Sequence, residues 1–113
     1  MGYNSIAISH LSLQYVGVPV KATKIDGTAY NPTADPVSMA FMPQATQVPG
    51  VSDWQAAIWA TRSNNILEPY AALCLVGPGG TITLGIGTYI IYVKITDNPE
   101  IPVMQASLQL EVY

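Results

Sequence analysis

Apolar and polar residues alternate along most of this chain with the two-residue period of β-strands, and no window shows a clean helical period. The alternation is clearest over residues 16–20, 37–42 and 88–96, with turn residues between these runs. Tyr70–Val76 is apolar at every position, which predicts a central strand or one that a partner covers. Further strands are predicted over residues 54–61, at Ile82 and Leu84, and over residues 105–113.

These short strands, about seven in number and separated by Gly- and Pro-containing turns, predict an all-β fold, an antiparallel β-sandwich. We expect a single domain over residues 15–113, preceded by an N-terminal strand or arm over residues 1–14. The apolar positions of that first segment lose their phase between Ile8 and Leu11. Two placements therefore remain open: an edge strand, or an extended arm that lies on a neighbouring molecule.

Residues 84–93 resemble the corner between strands E and F of an immunoglobulin-like domain. In that corner a Leu ends strand E, a Gly turns the chain, and the hydroxyl of a Tyr on strand F bonds back to the corner backbone. Leu84, Gly87 and Tyr89 fit these positions, and Ile91 stands where antibody domains have their second Cys. The resemblance implies an immunoglobulin-like sandwich without the disulfide. It also implies a core tryptophan on strand C, either Trp54 or Trp59.

Charged residues are unusually sparse. Four Lys or Arg and seven Asp or Glu make up 10% of the 113 residues, whereas a typical soluble domain carries about 25%. Half of the residues are hydrophobic and the mean hydropathy is +0.29. A surface with so few charges is either covered by a partner or neutral and polar. The net charge of −3 disfavours a nucleic-acid-binding surface, and no apolar run reaches the ~20 residues of a membrane helix.

The candidate chemistry is limited. Cys74 lies in the apolar run Tyr70–Val76, which predicts a buried thiol, and His10 is predicted to be structural. Asp97, Asn98 and Glu100 predict a turn, with the start of a calcium site as the alternative. We predict no catalytic residue, metal or cofactor. The aromatic residues are expected in the core or an interface, with sugar stacking as the alternative: Tyr30, Tyr70, Tyr92, Trp54 and Trp59.

A second resemblance covers most of the chain. The segments 11–20, 35–42, 74–80 and 87–103 are similar to small proteins encoded among the virion structural genes of tailed phages of actinobacteria. The resemblance implies a virion protein, assembled in the host cytoplasm, in the capsid or head–tail region. We expect a non-enzymatic capsid-decorating or accessory head protein that binds the major capsid protein and stabilises the particle. A neck or tail protein and a carbohydrate-binding host-adhesion module are the alternatives.

Contacts with the virion partner are expected from three places: the N-terminal segment, the outward face of the strand over residues 88–96, and the loop after it. The residues are Ile6, Ile8, Leu11, Ile90, Tyr92, Lys94, Asp97, Asn98 and Glu100. Many copies are expected on the virion, or a homo-oligomer. The seam of such an oligomer should include an apolar face that one copy cannot bury.

Overall fold

The computed structural model describes residues 4–20, 32–43, 48–61, 70–96, 101 and 103–113. This part of the chain contains two single-turn 3-10 helices, Pro32–Ala34 and Val51–Asp53, and seven strands. The strands are β1 (Asn4–Ile8), β2 (Gln14–Val20), β3 (Val37–Met42), β4 (Gln55–Thr61), β5 (Tyr70–Val76), β6 (Gly87–Ile95) and β7 (Val103–Val112). The prediction of an all-β, immunoglobulin-like sandwich is confirmed.

The strands follow the order β1-β7-β6-β3-β4-β5-β2, and β4 divides them into two sheets. Residues 55–57 of β4 pair with β3 in the first sheet, and residues 58–61 pair with β5 in the second sheet. The first sheet therefore contains β1, β7, β6, β3 and the start of β4. The second sheet contains the end of β4, β5 and β2.

The core lies between the two sheets and is built from alternate residues of their strands, as the two-residue period predicts. No polar or charged side chain is buried among the described residues. The buried cluster consists of Ile8, Val16, Val18, Val20, Val37, Met39, Phe41, Ala72, Cys74, Val76, Ile91, Val93, Ile95, Leu110 and Val112.

The pairing of β6 with β7 shifts register without turning any side chain to the wrong face. Ile90 pairs with Gln109, whereas Tyr92 pairs with Gln105, so β7 carries two more residues than β6 over this interval. A one-residue slip would exchange the faces, but a two-residue slip preserves them. Met104 and Leu110, on either side of the irregularity, accordingly both contact the core.

The N-terminal segment forms an edge strand of its own sandwich. β1 pairs with β7 in parallel, from Asn4 opposite Leu108 to Ile8 opposite Val112. The expectation of a wholly antiparallel sandwich was wrong at this pairing. The loss of phase after Ile8 marks a turn, in which the Ser12 amide donates to the Ser9 carbonyl at 3.0 Å. Residues 4–8 thus form the edge strand and not the arm on a neighbour.

The predicted strand at Ile82 and Leu84 is not formed. Ile82 makes a single parallel bridge to Val76. The amide of Gly77 donates to the Ile82 carbonyl at 2.9 Å, and the Thr81 amide donates back to the Leu75 carbonyl at 2.9 Å. The segment is therefore held on the end of β5 and on the turn that follows it, and its pairing stops at this single bridge.

The corner before β6 has the predicted immunoglobulin-like geometry. The Tyr89 hydroxyl donates to the Gly85 carbonyl at 2.8 Å. Leu84 packs against the core, and Gly87 has a φ of +154°, which side-chain-bearing residues rarely adopt. Ile91 is fully buried at the position of the antibody cysteine. The roles expected of Gly87 and Tyr89 are confirmed, whereas Leu84 does not end a strand, because the predicted strand before the corner is not formed.

Tyr89→Phe should lower the free energy of unfolding by about 1 kcal/mol, because it deletes the hydroxyl that closes the corner and keeps the ring. Urea titration would measure the change. Tyr113→Phe, at an exposed tyrosine, is the matched control and should change stability by less than about 0.5 kcal/mol. Equal effects of the two substitutions would contradict a stabilising role for the corner bond.

Candidate protein–protein interface

The second sheet turns an apolar face to the solvent. Its inward positions, such as Val16, Val18 and Cys74, belong to the core, so the alternate positions point outward. Three rows of paired residues form this surface, which we call the outer face. The rows are Tyr15 with Leu75, then Gly17 with Leu73 and Ile58, then Pro19 with Ala71 and Ala60.

The outer face departs from the usual pattern of an antiparallel sheet that has one solvated face, in which the outward positions are polar. None of its eight residues is charged, and the hydroxyl of Tyr15 is the only polar side-chain group. Tyr15 is 54% exposed and Ile58 is 52% exposed, whereas Ala71 is 7% exposed and the other five residues of the face are partly buried. Leu11, at 76% exposure, and Leu13, at 51%, extend the apolar surface past the start of β2. Contiguous surfaces of this kind mark contacts with other molecules.

Close packing keeps the centre of the outer face flat. A Cβ atom placed on Gly17 would lie 2.5 Å from Cδ2 of Leu73, so the leucine side chain occupies the space above the glycine. Leu73 is half-buried as a result. Because Gly17 has no side chain, the Leu73 side chain of β5 can lie over β2, and neither residue protrudes far from the sheet.

Among the predicted N-terminal contact residues, Leu11 alone is fully available to a partner. Ile6 is half-buried and packs against the core, and Ile8 is 3% exposed and belongs to the core. The expectation that Ile8 contacts a partner was wrong, because the pairing of β1 with β7 turns this residue inward.

The prediction of Ile90 as an exposed contact was also wrong. Ile90 faces away from Ile91, as predicted, but it is 5% exposed. Together with Ala40 and Met42 it forms a small buried group outside the main core, on the outer side of the first sheet. The 3-10 helix that leads into Trp54 contacts β3, so the connection between β3 and β4 returns to this sheet.

Tyr92 and Lys94 are half-buried on the same side of the first sheet. The Lys94 ammonium lies 4.7 Å from the centroid of the Trp54 ring, a cation–π contact. Trp54 follows directly on a turn in which the Asp53 carboxylate accepts a hydrogen bond from the Gly50 amide at 2.8 Å. This turn positions the indole beneath the lysine.

The expected core tryptophan on strand C is not present. β3, which lies between β4 and β6, takes the place of strand C and contributes Val37, Met39 and Phe41 to the core. Trp59 lies on β4, packs against the edge of the core, and donates from Nε1 to the Asp35 carbonyl at 2.8 Å. The sequence pattern separated the two faces of this strand but did not show that it belongs to both sheets.

Cys74 lies in the core, as predicted, and burial raises the pKa of its thiol to about 11. The thiol therefore stays protonated at neutral pH and is a poor nucleophile. His10 is exposed and bonds through Nδ1 to the Tyr113 carbonyl oxygen at 2.8 Å, which ties the turn after β1 to the end of β7.

The raised pKa of Cys74 predicts a loss of stability in alkali. Unfolded thiols ionise near pH 9 and the folded thiol near pH 11, so unfolding releases a proton between these values and becomes more favourable as the pH rises. The loss should approach 2–3 kcal/mol, or about 1.4 kcal/mol per pH unit. Urea titrations from pH 8 to pH 11 would measure it. Cys74→Ala should show a shallower decline, and parallel curves for the two proteins would refute the prediction.

The predicted contacts Asp97, Asn98 and Glu100 lie outside the described residues, and so does the alternative calcium site. Within the described ranges, no three His, Cys, Asp or Glu side chains come together as a metal site would require. No described helix has both the length and the hydropathy needed to cross a membrane. Comparison of the chain with protein-family models, curated proteins and solved structures finds no match.

Proposed function

We propose that this chain is a non-enzymatic virion protein of a tailed phage, a capsid-decorating or accessory head protein that binds the major capsid protein in many copies. The observation that supports assembly in many copies is the uncharged outer face of the second sheet, which an isolated copy leaves partly exposed. A side chain such as Tyr15 or Ile58, half exposed in an isolated copy, is the kind of group that permanent assembly covers.

Burial of neutral surface is the proposed mechanism. Each square ångström of apolar surface removed from water contributes about 25 cal/mol, and a stable contact buries about 1,600 Å² in total. Such a contact needs no ion pairs and is weakly affected by salt, which suits a chain with 10% charged residues. Subunits joined in this way would resist separation when the packaged particle is under internal pressure.

The capsid-facing surface is proposed to lie on the first sheet, opposite the outer face. Tyr92 and Lys94 lie on that side, half-buried, next to Trp54. This arrangement leaves the two sides of the sandwich free for two different contacts.

The adhesion alternative has less support from the two tryptophans. Sugar stacking needs an open ring face, but the Lys94 ammonium lies over the Trp54 ring and Trp59 packs against the core. A head protein needs no such ring. We therefore favour the capsid role over glycan binding.

A cryo-EM reconstruction of virions of the encoding phage would test this function. We expect density for the chain repeated over the capsid with icosahedral symmetry, and its peptides in the purified particles by mass spectrometry. Density confined to the neck or tail would overturn the capsid assignment, and absence from the virion would overturn the whole proposal.

A binding assay would test the capsid-facing surface. Heads purified from a phage that lacks the gene should take up the wild-type protein and should take up a Lys94→Glu variant at least tenfold less. Ile86→Asp, at an exposed corner residue away from Lys94, is the matched control and should bind as the wild type does. Equal uptake of both variants would overturn the assignment of this surface.

A further inference from the structure

We propose that the outer face of the second sheet is covered by the same face of a second copy, related by a two-fold axis. The unit that enters assembly is then a homodimer. This inference deepens the proposed function, because it names what covers the outer face. It rests on that function only in assuming that the outer face is covered in the assembled particle.

The chemistry of the outer face restricts the partner. Its eight residues carry no charge, so a charged surface placed against it would lose hydration and gain no ion pair. The partner must therefore offer an uncharged, apolar and nearly flat surface. A second copy of this chain presents such a surface, with the same twist and the same strand spacing.

The heights of the side chains are graded along the strands in a way that fits this partner. Tyr15 and Leu75 form a bulky row at one end, and Pro19, Ala71 and Ala60 form a shallow row at the other. The middle row is flat where Leu73 covers Gly17. The surface therefore stands higher at the Tyr15 end than at the Pro19 end.

A two-fold axis turns this gradient into complementarity. The axis we propose lies in the interface, between the second sheets of the two copies. It is perpendicular to the strands and passes over the middle row. It reverses the strand direction of the second copy, so the Tyr15 row of each copy lies on the Pro19 row of the other. The middle rows, with Ile58 and Leu73, pack against themselves. Such reciprocal contacts are the property of an isologous interface.

The edge of the second sheet favours stacking over sheet extension. β2 is the last strand in the order of the described strands, and Pro19 lies in it. Proline has no amide hydrogen, so it weakens any ladder that a second β2 could add at this edge. The faces can still stack at the ~10 Å spacing of packed sheets.

The area is sufficient for a modest dimer. Tyr15, Ile58, Leu11 and Leu13 are each at least half exposed, so the contact they form falls at the lower end of the range for specific interfaces, about 1,200 Å² in total. We therefore expect a weak dimer, because area at this end of the range leaves little surplus over the entropy lost on association. Such a dimer dissociates on dilution and is complete at the high local concentration of an assembling particle.

Sedimentation velocity of the whole chain, measured over a series of protein concentrations, tests the dimer. The 12.1 kDa monomer should give way to a species of twice that mass as the concentration rises. A monomer at every concentration would overturn the inference, and so would a trimer or an open-ended aggregate, because a two-fold contact closes after two copies.

Matched charge substitutions test the face. Ile58→Asp should weaken the dimer at least a hundredfold, because it buries an unpaired carboxylate at the seam. Ile86→Asp, at a residue that is 70% exposed and is not part of the outer face, should leave the dimer unchanged. Circular dichroism and the urea midpoint establish that both variants fold. A dimer that survives Ile58→Asp would overturn the proposed face.

Spin labels test the position of the axis. Labels on Ile58→Cys should lie near each other across the seam, whereas labels on Ala60→Cys should be separated by a further ~13 Å along the strands. The native Cys74 is buried and should not react. The opposite order of distances would exclude the proposed axis.

The dimer and the virion function can fail separately. A dimer that is absent from virions would contradict the function and leave the inference standing. A monomer that binds heads, and loses that binding on Ile58→Asp, would support the function and show that a capsid protein, not a second copy, covers the outer face.

Discussion

Gly77→Ala is expected to destabilise the protein by about 3 kcal/mol, a large fraction of the roughly 5–15 kcal/mol by which natural domains are stable. Gly77 has a φ of +134°, in the region that favours glycine. A Cβ atom at this position would overlap with the Ser12 carbonyl oxygen and lie 2.8 Å from Cα of Leu13. Both are backbone groups of the turn that joins β1 to β2, and they cannot move aside as a flexible side chain can.

Gly79→Ala is the control for this substitution, because it lies in the same turn and differs in its surroundings. Gly79 also has a positive φ, of +83°, but no described residue beyond its two chain neighbours lies within 4 Å of the position that its Cβ would occupy. We expect a cost of about 1 kcal/mol, from the backbone conformation alone. Urea titration of the two variants should differ by about 2 kcal/mol. Equal losses of stability in the two variants would show that the backbone of the turn moves to accommodate the new Cβ. The close approach of Gly77 to Ser12 and Leu13 would then make no contribution to the difference in stability.

Ile91→Ala should cost about 3–4 kcal/mol, the range for a large buried aliphatic residue cut back to alanine. Ile91 is fully buried, and its neighbours in the core cluster come from both sheets. In antibody domains a disulfide joins the sheets at this position, whereas Ile91 contributes only packing there. The cavity therefore weakens the contact between the sheets at a point where no disulfide supplements it.

The exposed Ile86 supplies the control, since Ile86→Ala removes the same atoms from a side chain that is largely in water. We expect a change below about 0.5 kcal/mol. Thermal unfolding monitored by circular dichroism would rank the two variants. A loss below 1 kcal/mol for Ile91→Ala would mean that the surrounding core collapses to fill the space.

Much of the fold could be predicted because side-chain burial follows the two-residue period of a strand. β3 and β5 were predicted with the bounds that the structure has, and the alternation in β6 gave its inward residues Ile91, Val93 and Ile95. The bond from Tyr89 to Gly85 was predictable for a different reason. A corner is a local motif, and all of its residues lie close together in sequence.

What the sequence did not reveal depends on contacts between distant segments. The parallel pairing of β1 with β7 joins residues about a hundred positions apart, and no local pattern specifies its direction. Ile90 points outward, as its position in the alternation requires, and is nevertheless only 5% exposed. Periodicity reports the direction of a side chain and does not report what lies against it.

The candidate interface was only partly predictable. The apolar run Tyr70–Val76 indicated a strand that is central or covered by a partner, and β5 is central in the second sheet. The surface itself requires the register that brings Tyr15 beside Leu75 and Ile58 beside Leu73. These residues come from three separate strands, so the patch exists only once the sheet is assembled.

The strand that belongs to both sheets has a mechanical consequence. In a sandwich whose sheets touch only through side chains, a sideways load slides one sheet over the other against dispersion forces alone. Here residues 55–57 and 58–61 of β4 are hydrogen-bonded to different sheets, so the same displacement must stretch a continuous backbone and shear two ladders at once. A pull on one side of the molecule is therefore transmitted to the opposite side by the covalent chain.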